Sequence, residues 1–358
     1  LEWVEAEENF EDLLNSINKQ NAFKFDKDFI LKTALVLIEK KAQYKVEKFK
    51  GQEGEQNLKA IKDNWERIKN SFEWLKANKA PGHEEYSWGK THDFASRGGR
   101  QAKYEPITIW TSLIGLAFLD AYELTRDNDH LETAKSICSW ILKVPQNKTT
   151  TGICINYTPH DAGDCTIHNQ SMVAAAMLAR TYKHTGKKDY LSLATQAMQY
   201  SCTRQNPDGS WYYGEGLKWH WIDNFHTGYN LDSLKCYIES TGDKTWENNL
   251  KDGFEFYLNN FFEESGRPKY YHNGTYTIER QCIAQSIETL GNFAEYDLRS
   301  IPAALKVADW AIDNMQDKTG YFYYAKYPLL TLKVPLIHWA QATTYRALAL
   351  LLTKTAPE

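Results

Sequence analysis

The chain has 358 residues, 42% hydrophobic and 25% charged, so it can bury a large core beneath a soluble surface. Its net charge of -4 offers no basic face, which argues against nucleic acid as a partner. No stretch is long and apolar enough to span a membrane. We expect a soluble protein, and the sequence leaves open whether it is cytoplasmic or exported after loss of a signal.

An internal repeat is the strongest pattern in the sequence. Five segments share a polar, ring-rich start followed by small and apolar residues, a composition that predicts helices buried on several faces. Their starts recur roughly every 55–60 residues, a period typical of arrays of supersecondary units. They begin near Glu105, Ile167, Asp223, Glu279 and His338.

A one-sided amphipathic helix follows each of the first four segments, which indicates a peripheral position. Short polar linkers join the partners, as in antiparallel helix pairs. Two further helices, near Phe29–Lys48 and Asn57–Ala77, would supply the remaining pair. The pattern therefore predicts an all-α (α/α)6 toroid, a six-hairpin barrel with inner and outer rings of helices, as one domain over residues 1–358. The four outer helices are predicted at 131–144, 188–205, 245–262 and 301–316.

The long connections from outer to inner helices should all emerge at one end of such a ring. They are rich in aromatic and polar side chains, and the chain as a whole has 12 Trp and 22 Tyr. Core packing is one explanation, and stacking on sugar rings is the other. Clustering of the loops favours a sugar-binding mouth. The substrate-binding candidates are Trp88, His92, Arg97, Arg100, Asn169, Trp211, Tyr213, Trp219, Trp221, Tyr271, His272, Tyr276, Arg280, Trp339 and Gln341.

Acid–base chemistry has candidates at the predicted inner-helix starts. Asp223 lies at a helix start, where capping is the structural alternative to catalysis. His226 follows three residues later on about the same face, and both are expected to face the cavity. His168 and His338 hold equivalent positions, where imidazole suits proton transfer near neutral pH. The further carboxylate candidates are Glu105, Glu279 and Asp93.

Arginine and cysteine leave alternatives open. Arg97, Arg100 and Arg280 can either grip a carboxylate or form salt bridges at helix ends. Cys154 and Cys165 bracket a loop, and the sequence leaves open whether they pair. No local spacing of histidines indicates zinc, so no metal and no cofactor are expected.

Several long motifs resemble the polysaccharide-biosynthesis proteins described as VpsJ-like: NPDGSWYYGEG, WIDNFHTGYNLDSLKCYIESTGD, PKYYHNGTYTIER and NMQDKTGYFYY. The resemblance runs from SWGKTHDF to the final HWAQATTYRALALLL. It implies a branch of the six-hairpin glycosidase-like toroids, which include hydrolases, uronate lyases and sugar epimerases. Two shorter likenesses are QNPDGSW, similar to a helix-tying repeat of terpene-cyclase toroids, and HWAQA, similar to a segment of N-acylglucosamine 2-epimerases.

Three functions follow as hypotheses. The leading one is an enzyme acting on an oligo- or polysaccharide, most simply a glycoside hydrolase with paired carboxylates. The second is a uronate-directed lyase or epimerase using His, Tyr and Arg. The third is a non-catalytic glycan-binding protein. We expect Glu105, His168, Asp223, Glu279 and His338 to surround one cavity, and at least one of Trp88, Trp219 and Trp221 to expose a ring face.

Overall fold

The computed structural model describes residues 52–96, 99–160 and 164–355. It divides into two compact units: a middle unit, Phe72–Asn259, and a terminal unit that holds the described residues of Leu1–Ser71 and Asn260–Glu358. The predicted helix near Phe29–Lys48 lies outside the described residues. The prediction of a single domain is not tested and stays a prediction.

The described chain begins with a long helix and continues as alternating helix pairs. In the middle unit the elements are α1 Gln52–Ala77 (whose last turn belongs here), β1 Phe94–Ser96, β2 Gly99–Gln101, α2 Thr108–Thr125, α3 Asn128–Lys143, β3 Gln146–Thr149, β4 Gly152–Ile155, α4 His168–Thr185, α5 Lys188–Cys202, α6 Asn224–Thr241 and α7 Glu247–Asn260. β1 pairs with β2 and β3 with β4, both as antiparallel hairpins.

The terminal unit continues the alternation. Its elements are β5 Ile278–Glu279, α8 Arg280–Asn292, α9 Ser300–Met315, β6 Ala325–Lys326, β7 Thr331–Leu332, a π-helical turn Ile337–Ala342 and α10 Thr343–Thr355. β5, β6 and β7 form one antiparallel sheet in that order. α8 packs against α9 and α10.

Helix burial confirms the predicted inner and outer classes. α4 packs against α2, α5 and α6, and 13 of its 18 residues are buried. α5 buries one face only, through residues such as Leu193 and Met198. Small side chains on α4 allow this close approach of neighbouring helices, because Ala174, Ala175 and Ala176 leave little between the backbones.

Each of three inner helices has its first amide capped by the loop that precedes the next hairpin. The amide of Thr108 donates to the carbonyl of Tyr157 at 2.8 Å, and that of His168 donates to Tyr213 at 3.1 Å. In the terminal unit Arg280 donates to Tyr324 at 2.9 Å. These bonds satisfy donors that a helix start leaves unpaired. They also fix a tyrosine beside each helix start.

The QNPDGSW motif ties two outer helices together. The side-chain amide of Gln205 donates to the backbone carbonyls of Gly209 and Asn249. The side-chain amide of Asn249 donates in return to the Gln205 side chain and to the Cys202 carbonyl. Gly209 has a φ of +88°, and a Cβ there would lie 2.3 Å from the Asp252 carbonyl oxygen. The turn after α5 therefore touches the backbone of α7, which requires glycine.

Substitution of Gly209 by Ala should lower the free energy of unfolding by roughly 3 kcal/mol, because the added methyl strains the backbone and meets Asp252. Gly242→Ala is the matched control. Gly242 also has a positive φ, of +73°, but a Cβ there meets nothing within 4 Å. The Gly242→Ala substitution should therefore lower the free energy of unfolding by only about 1 kcal/mol. Denaturant unfolding of both variants measures the difference, and equal losses would contradict the proposed close contact.

Candidate active site

One loop of the middle unit, residues 211–222, builds the densest group of predicted site residues. Tyr213 and Gly214 bond through the backbone to Trp221 and Trp219, which closes the loop on itself. The loop also pairs with the start of α4, since the amide of Glu215 donates to the Thr166 carbonyl at 3.2 Å. Backbone bonds thus hold these rings at the starts of α4 and α6.

Asp223 and His226 form a buried carboxylate–imidazole pair. The side chain of Asp223 has no exposed surface, and its Oδ2 lies 2.7 Å from His226 Nδ1. Oδ2 also accepts the Trp221 indole N–H at 2.8 Å, while Oδ1 accepts the His226 amide at 3.0 Å. The carboxylate is therefore both the helix cap and the partner of the imidazole. Nε2 of His226 has no hydrogen-bond partner among the described residues.

The Asp223–His226 pairing corrects one expectation. Asp223 does not present its carboxylate to a cavity, because both oxygens are occupied by neighbours and the group is enclosed. His226 keeps 17% of its side chain exposed. A carboxylate that holds Nδ1 orients the ring and leaves Nε2 as the reactive nitrogen, as in other Asp–His arrangements.

Aromatic rings surround His226. Tyr213 stacks nearly parallel on Trp221, with centroids 4.7 Å apart, and its ring lies 4.4 Å from that of His226. Trp219 meets the rings of Tyr213 and Trp221 edge-on, with centroid distances of 5.7 Å and 5.6 Å. Trp219 and Trp221 are half-buried. This group, with Phe225 on the other side of His226, offers partly exposed ring surface of the kind that sugars stack on.

Two tyrosine hydroxyls meet beside this group. Tyr213 and Tyr157, the residues whose carbonyls cap α4 and α2, share a hydrogen bond between their hydroxyls. Burial, together with Tyr157 and the charge of Asp223, raises the pKa of Tyr213 well above its usual value. Tyr213 therefore keeps its proton at neutral pH and can act as a donor. Tyr157 was not among the residues expected from the sequence.

Glu215 is a second residue that sequence reasoning missed. Its Oε1 lies 2.8 Å from Nε2 of His168, whose Nδ1 meets the Ser201 hydroxyl at 3.0 Å. His168 has no exposed surface and holds Glu215 through this contact, and its predicted catalytic role stays a prediction. Burial by itself raises the pKa of Glu215, but the bond to His168 and nearby positive charge outweigh it, so the pKa is lowered.

Lys90 brings a cation to the start of α2. Its Nζ lies 4.7 Å from the centroid of the Trp110 ring and 2.8 Å from that of Phe94. The residue is 7% exposed, and burial lowers the pKa of its ammonium to about 8. Trp110 packs with Tyr157 against one apolar cluster. No motif in the sequence distinguished this buried lysine from the exposed ones.

Two predicted sugar platforms belong to the core. Trp88 is 5% exposed, and its indole donates to the Leu75 carbonyl at 2.9 Å. Trp211 is 1% exposed and donates to the Ser201 carbonyl at 3.0 Å. Buried indoles with satisfied N–H groups pack helices and cannot stack on a ligand. The substrate-binding assignments of these two residues are therefore corrected.

The first long loop forms a hairpin. Asp93 accepts the Lys103 amide and pairs with Arg100 at 3.5 Å, an exposed contact of little energetic weight. His92 is exposed, and Glu105 accepts the Ala102 amide as a local turn. Arg97 lies outside the described residues. These contacts account for the loop's own geometry and do not test the predicted catalytic and binding roles.

Asn169 follows His168 in the first turn of α4 and is also buried. Its side-chain oxygen has no hydrogen-bond partner in the described ranges of the chain. It shares a helix face with Val173, which packs in the cluster that includes Tyr157 and Tyr229. A buried acceptor left without a donor in the protein suits a ligand hydroxyl.

The terminal unit holds the remaining candidates. Gln341 is buried and bonds both the amide and the carbonyl of Phe322, so its predicted substrate role is corrected to a structural one. Glu279 shares a hydrogen bond with the Tyr324 hydroxyl, and Arg280 is enclosed. Tyr271 and His272 are half-buried and Tyr276 is exposed. His338 and Trp339 lie in the π-helical turn, and their side chains are outside the described residues. The expectation of one cavity spanning both units stays a prediction.

Two further findings concern the cysteines and the side chains that could bind a metal. The thiol of buried Cys154 lies beside that of Cys165, and the two do not form a disulfide. Among residues 52–96, 99–160 and 164–355, no group of three or more acidic, histidine or cysteine side chains converges as a metal site would.

Comparisons with known proteins agree with the fold. The Ulvan lyase N-terminal domain family model matches residues 146–296, a stretch that contains Tyr157, Tyr213, Asp223 and His226. No curated protein sequence matches the chain.

Solved structures match over nearly the whole chain. Cellobiose 2-epimerase from Bacillus thermoamylovorans B4167 has a TM-score of 0.66 at 10% identity, covering 96% of this chain and 98% of its own. A GH76 alpha-mannanase from Bacteroides thetaiotaomicron has 0.62 at 13%, covering 97% and 94%. A polysaccharide lyase has 0.57 at 11%, covering 97% of each. The likeness confirms the predicted fold class, the all-α (α/α)6 toroid. In the described part of the chain, the helices lack the length and apolarity that crossing a bilayer requires.

Glu215→Gln should remove a stabilisation that depends on pH. Because the pKa of Glu215 is lowered on folding, the unfolded chain binds more protons, and stability rises with pH across this window. The advantage of the native protein over Glu215→Gln should be complete above the unfolded Glu pKa of about 4.3 and vanish at lower pH, as Glu215 is protonated. Thermal unfolding across pH measures it, with exposed Glu84→Gln as control. A constant difference would contradict the assignment.

Proposed function

We propose that this protein is a carbohydrate-active enzyme, and that it acts as a lyase on a uronate-containing polysaccharide. The observation that carries the proposal is the Asp223–His226 pair. A buried carboxylate holds Nδ1 of His226, and Nε2 is left to remove a proton. The match to the Ulvan lyase N-terminal domain over 146–296 supports this choice, since the pair lies within it.

The proposed reaction is a β-elimination. Nε2 of His226 takes the proton at C5 of the uronate, the C4–O bond breaks, and a C4=C5 double bond forms. The departing oxygen needs a proton, which the Tyr213 hydroxyl supplies, because burial keeps that group protonated. Between turnovers His226 releases its proton to solvent, and the Tyr157 hydroxyl, bonded to Tyr213, passes a proton from solvent back to it.

The uronate carboxylate gathers negative charge as C5 loses its proton, and a nearby cation favours that change. Lys90 is the cation that we assign to this role, since it lies against Trp110 in the packing group that includes Tyr157. Arg280 is enclosed and Arg100 is largely exposed on its hairpin, so neither is as well held for this role.

Hydrolysis and epimerisation are the two alternative reactions for a carbohydrate-active enzyme of this fold. Structural likeness to an alpha-mannanase supports the first and likeness to cellobiose 2-epimerase supports the second. The geometry favours elimination or epimerisation over hydrolysis through Asp223, since that carboxylate is fully hydrogen-bonded. Membership of the VpsJ-like polysaccharide-biosynthesis proteins is also part of the proposal.

The substrate test is incubation with a panel of uronate-containing polysaccharides. A lyase gives shorter products with the ultraviolet absorbance of an unsaturated uronate. Added water in the product mass would indicate a hydrolase instead. Unchanged chain length with solvent deuterium at carbon would indicate an epimerase. Either of these outcomes would overturn the elimination.

His226→Gln should lower turnover by roughly 100-fold or more, because it removes the base. Asp223→Asn should also lower it strongly, because an amide no longer fixes the productive tautomer while it can still cap α6. His83→Gln, in the loop after α1, is the matched histidine control. Unfolding midpoints exclude misfolding as the cause. Full activity in His226→Gln would contradict the assignment of the base.

Trp219→Ala tests the sugar-binding surface separately from the chemistry. Trp219 meets Tyr213 and Trp221 edge-on, whereas the indole that donates to Asp223 is that of Trp221. Its loss should raise KM several-fold and change kcat little, as for a contact made equally in ground and transition states. A glycan-binding protein without catalysis would lose affinity in Trp219→Ala and keep it in His226→Gln, with no product in either.

A further inference from the structure

Arg280 is a buried cation that the proposed reaction does not use. It is the first residue of α8 and has no exposed surface. Its Nε donates to the Thr344 hydroxyl at 2.5 Å, and its guanidinium carbon lies 3.8 Å from the centroid of the Phe322 ring. Both terminal nitrogens are buried and have no hydrogen-bond partner among the described residues.

Neighbouring acidic groups do not compensate this charge. Glu279, the preceding residue, shares its hydrogen bond with Tyr324, and Glu288 pairs with Arg346. In the part of the chain that the structure describes, no carboxylate pairs with the guanidinium. Burial lowers the pKa of Arg280 to about 9, so the group is still a cation at neutral pH.

An enclosed and unpaired charge is strongly unfavourable. The Phe322 ring contributes only a cation–π contact, and the Thr344 hydroxyl contributes one acceptor. A water molecule would satisfy the N–H groups but would leave the charge uncompensated. The two terminal nitrogens therefore call for an anion as partner, and the start of α8 adds to the positive potential there.

We propose that Arg280 holds a small inorganic anion, of the size of chloride, between its terminal nitrogens. Size decides the class of ligand, because a carboxylate on a polysaccharide cannot reach a side chain with no exposed surface. The anion is a structural ligand of the terminal unit that fixes Arg280 against Phe322 and Thr344. The proposal is independent of the proposed lyase reaction and replaces the predicted role of Arg280 in substrate binding.

Thermal unfolding of the full chain tests the site. At constant ionic strength, replacing sodium gluconate by sodium chloride should raise the unfolding midpoint saturably, by on the order of 2 °C, because the ion binds only the folded state. Bromide should act similarly. No saturable halide effect would overturn the proposal.

Arg280→Met separates the site from general salt effects, which act on any variant. It should abolish the saturable rise, whereas Arg299→Met, which removes an arginine from an exposed pair with Asp297, should keep it. A rise that persists in Arg280→Met would overturn the proposal.

Bromide soaked into crystals of the unaltered protein gives a second readout that does not depend on a variant folding. An anomalous peak at the Arg280 terminal nitrogens would support the site. A peak absent there, while bromide is found elsewhere on the surface, would overturn it.

Discussion

The bond from the first amide of an inner helix to the carbonyl of a tyrosine in the next loop organises this fold. Thr108, His168 and Arg280 each donate such a bond, to Tyr157, Tyr213 and Tyr324 in turn. A helix start must pair its free amides, and a neighbouring loop supplies the acceptor. Within each unit, such bonds join one hairpin to the loop that precedes the next.

The candidate chemistry is a consequence of this arrangement. Because the carbonyl of Tyr213 is held on α4, its ring comes to lie against His226 and its hydroxyl against that of Tyr157. Asp223 caps α6 through its own side chain and at the same time orients the imidazole. A single carboxylate thus caps a helix start and fixes the orientation of the imidazole.

Burial separates the polar residues at the starts of the inner helices and in the loop 211–222 into two groups. His226 and Glu215 each keep part of the side chain exposed, and each is held by a fully enclosed partner, Asp223 or His168. The enclosed partners restrict the rotamers of these two accessible groups, and the bond to His168 also lowers the pKa of Glu215. Arg280 differs from both, because it is enclosed without an acidic partner.

The sequence by itself determined the helix pairs, their period, the inner and outer classes and the one-turn relation of Asp223 to His226. Those features depend on local periodicity, which a linear pattern records. Only the tertiary structure decided that Trp88 and Trp211 are core and that Glu215 reaches His168. Residues distant in sequence decide which carboxylates are enclosed and which rings reach solvent, so burial and pairing follow from packing that no local pattern contains.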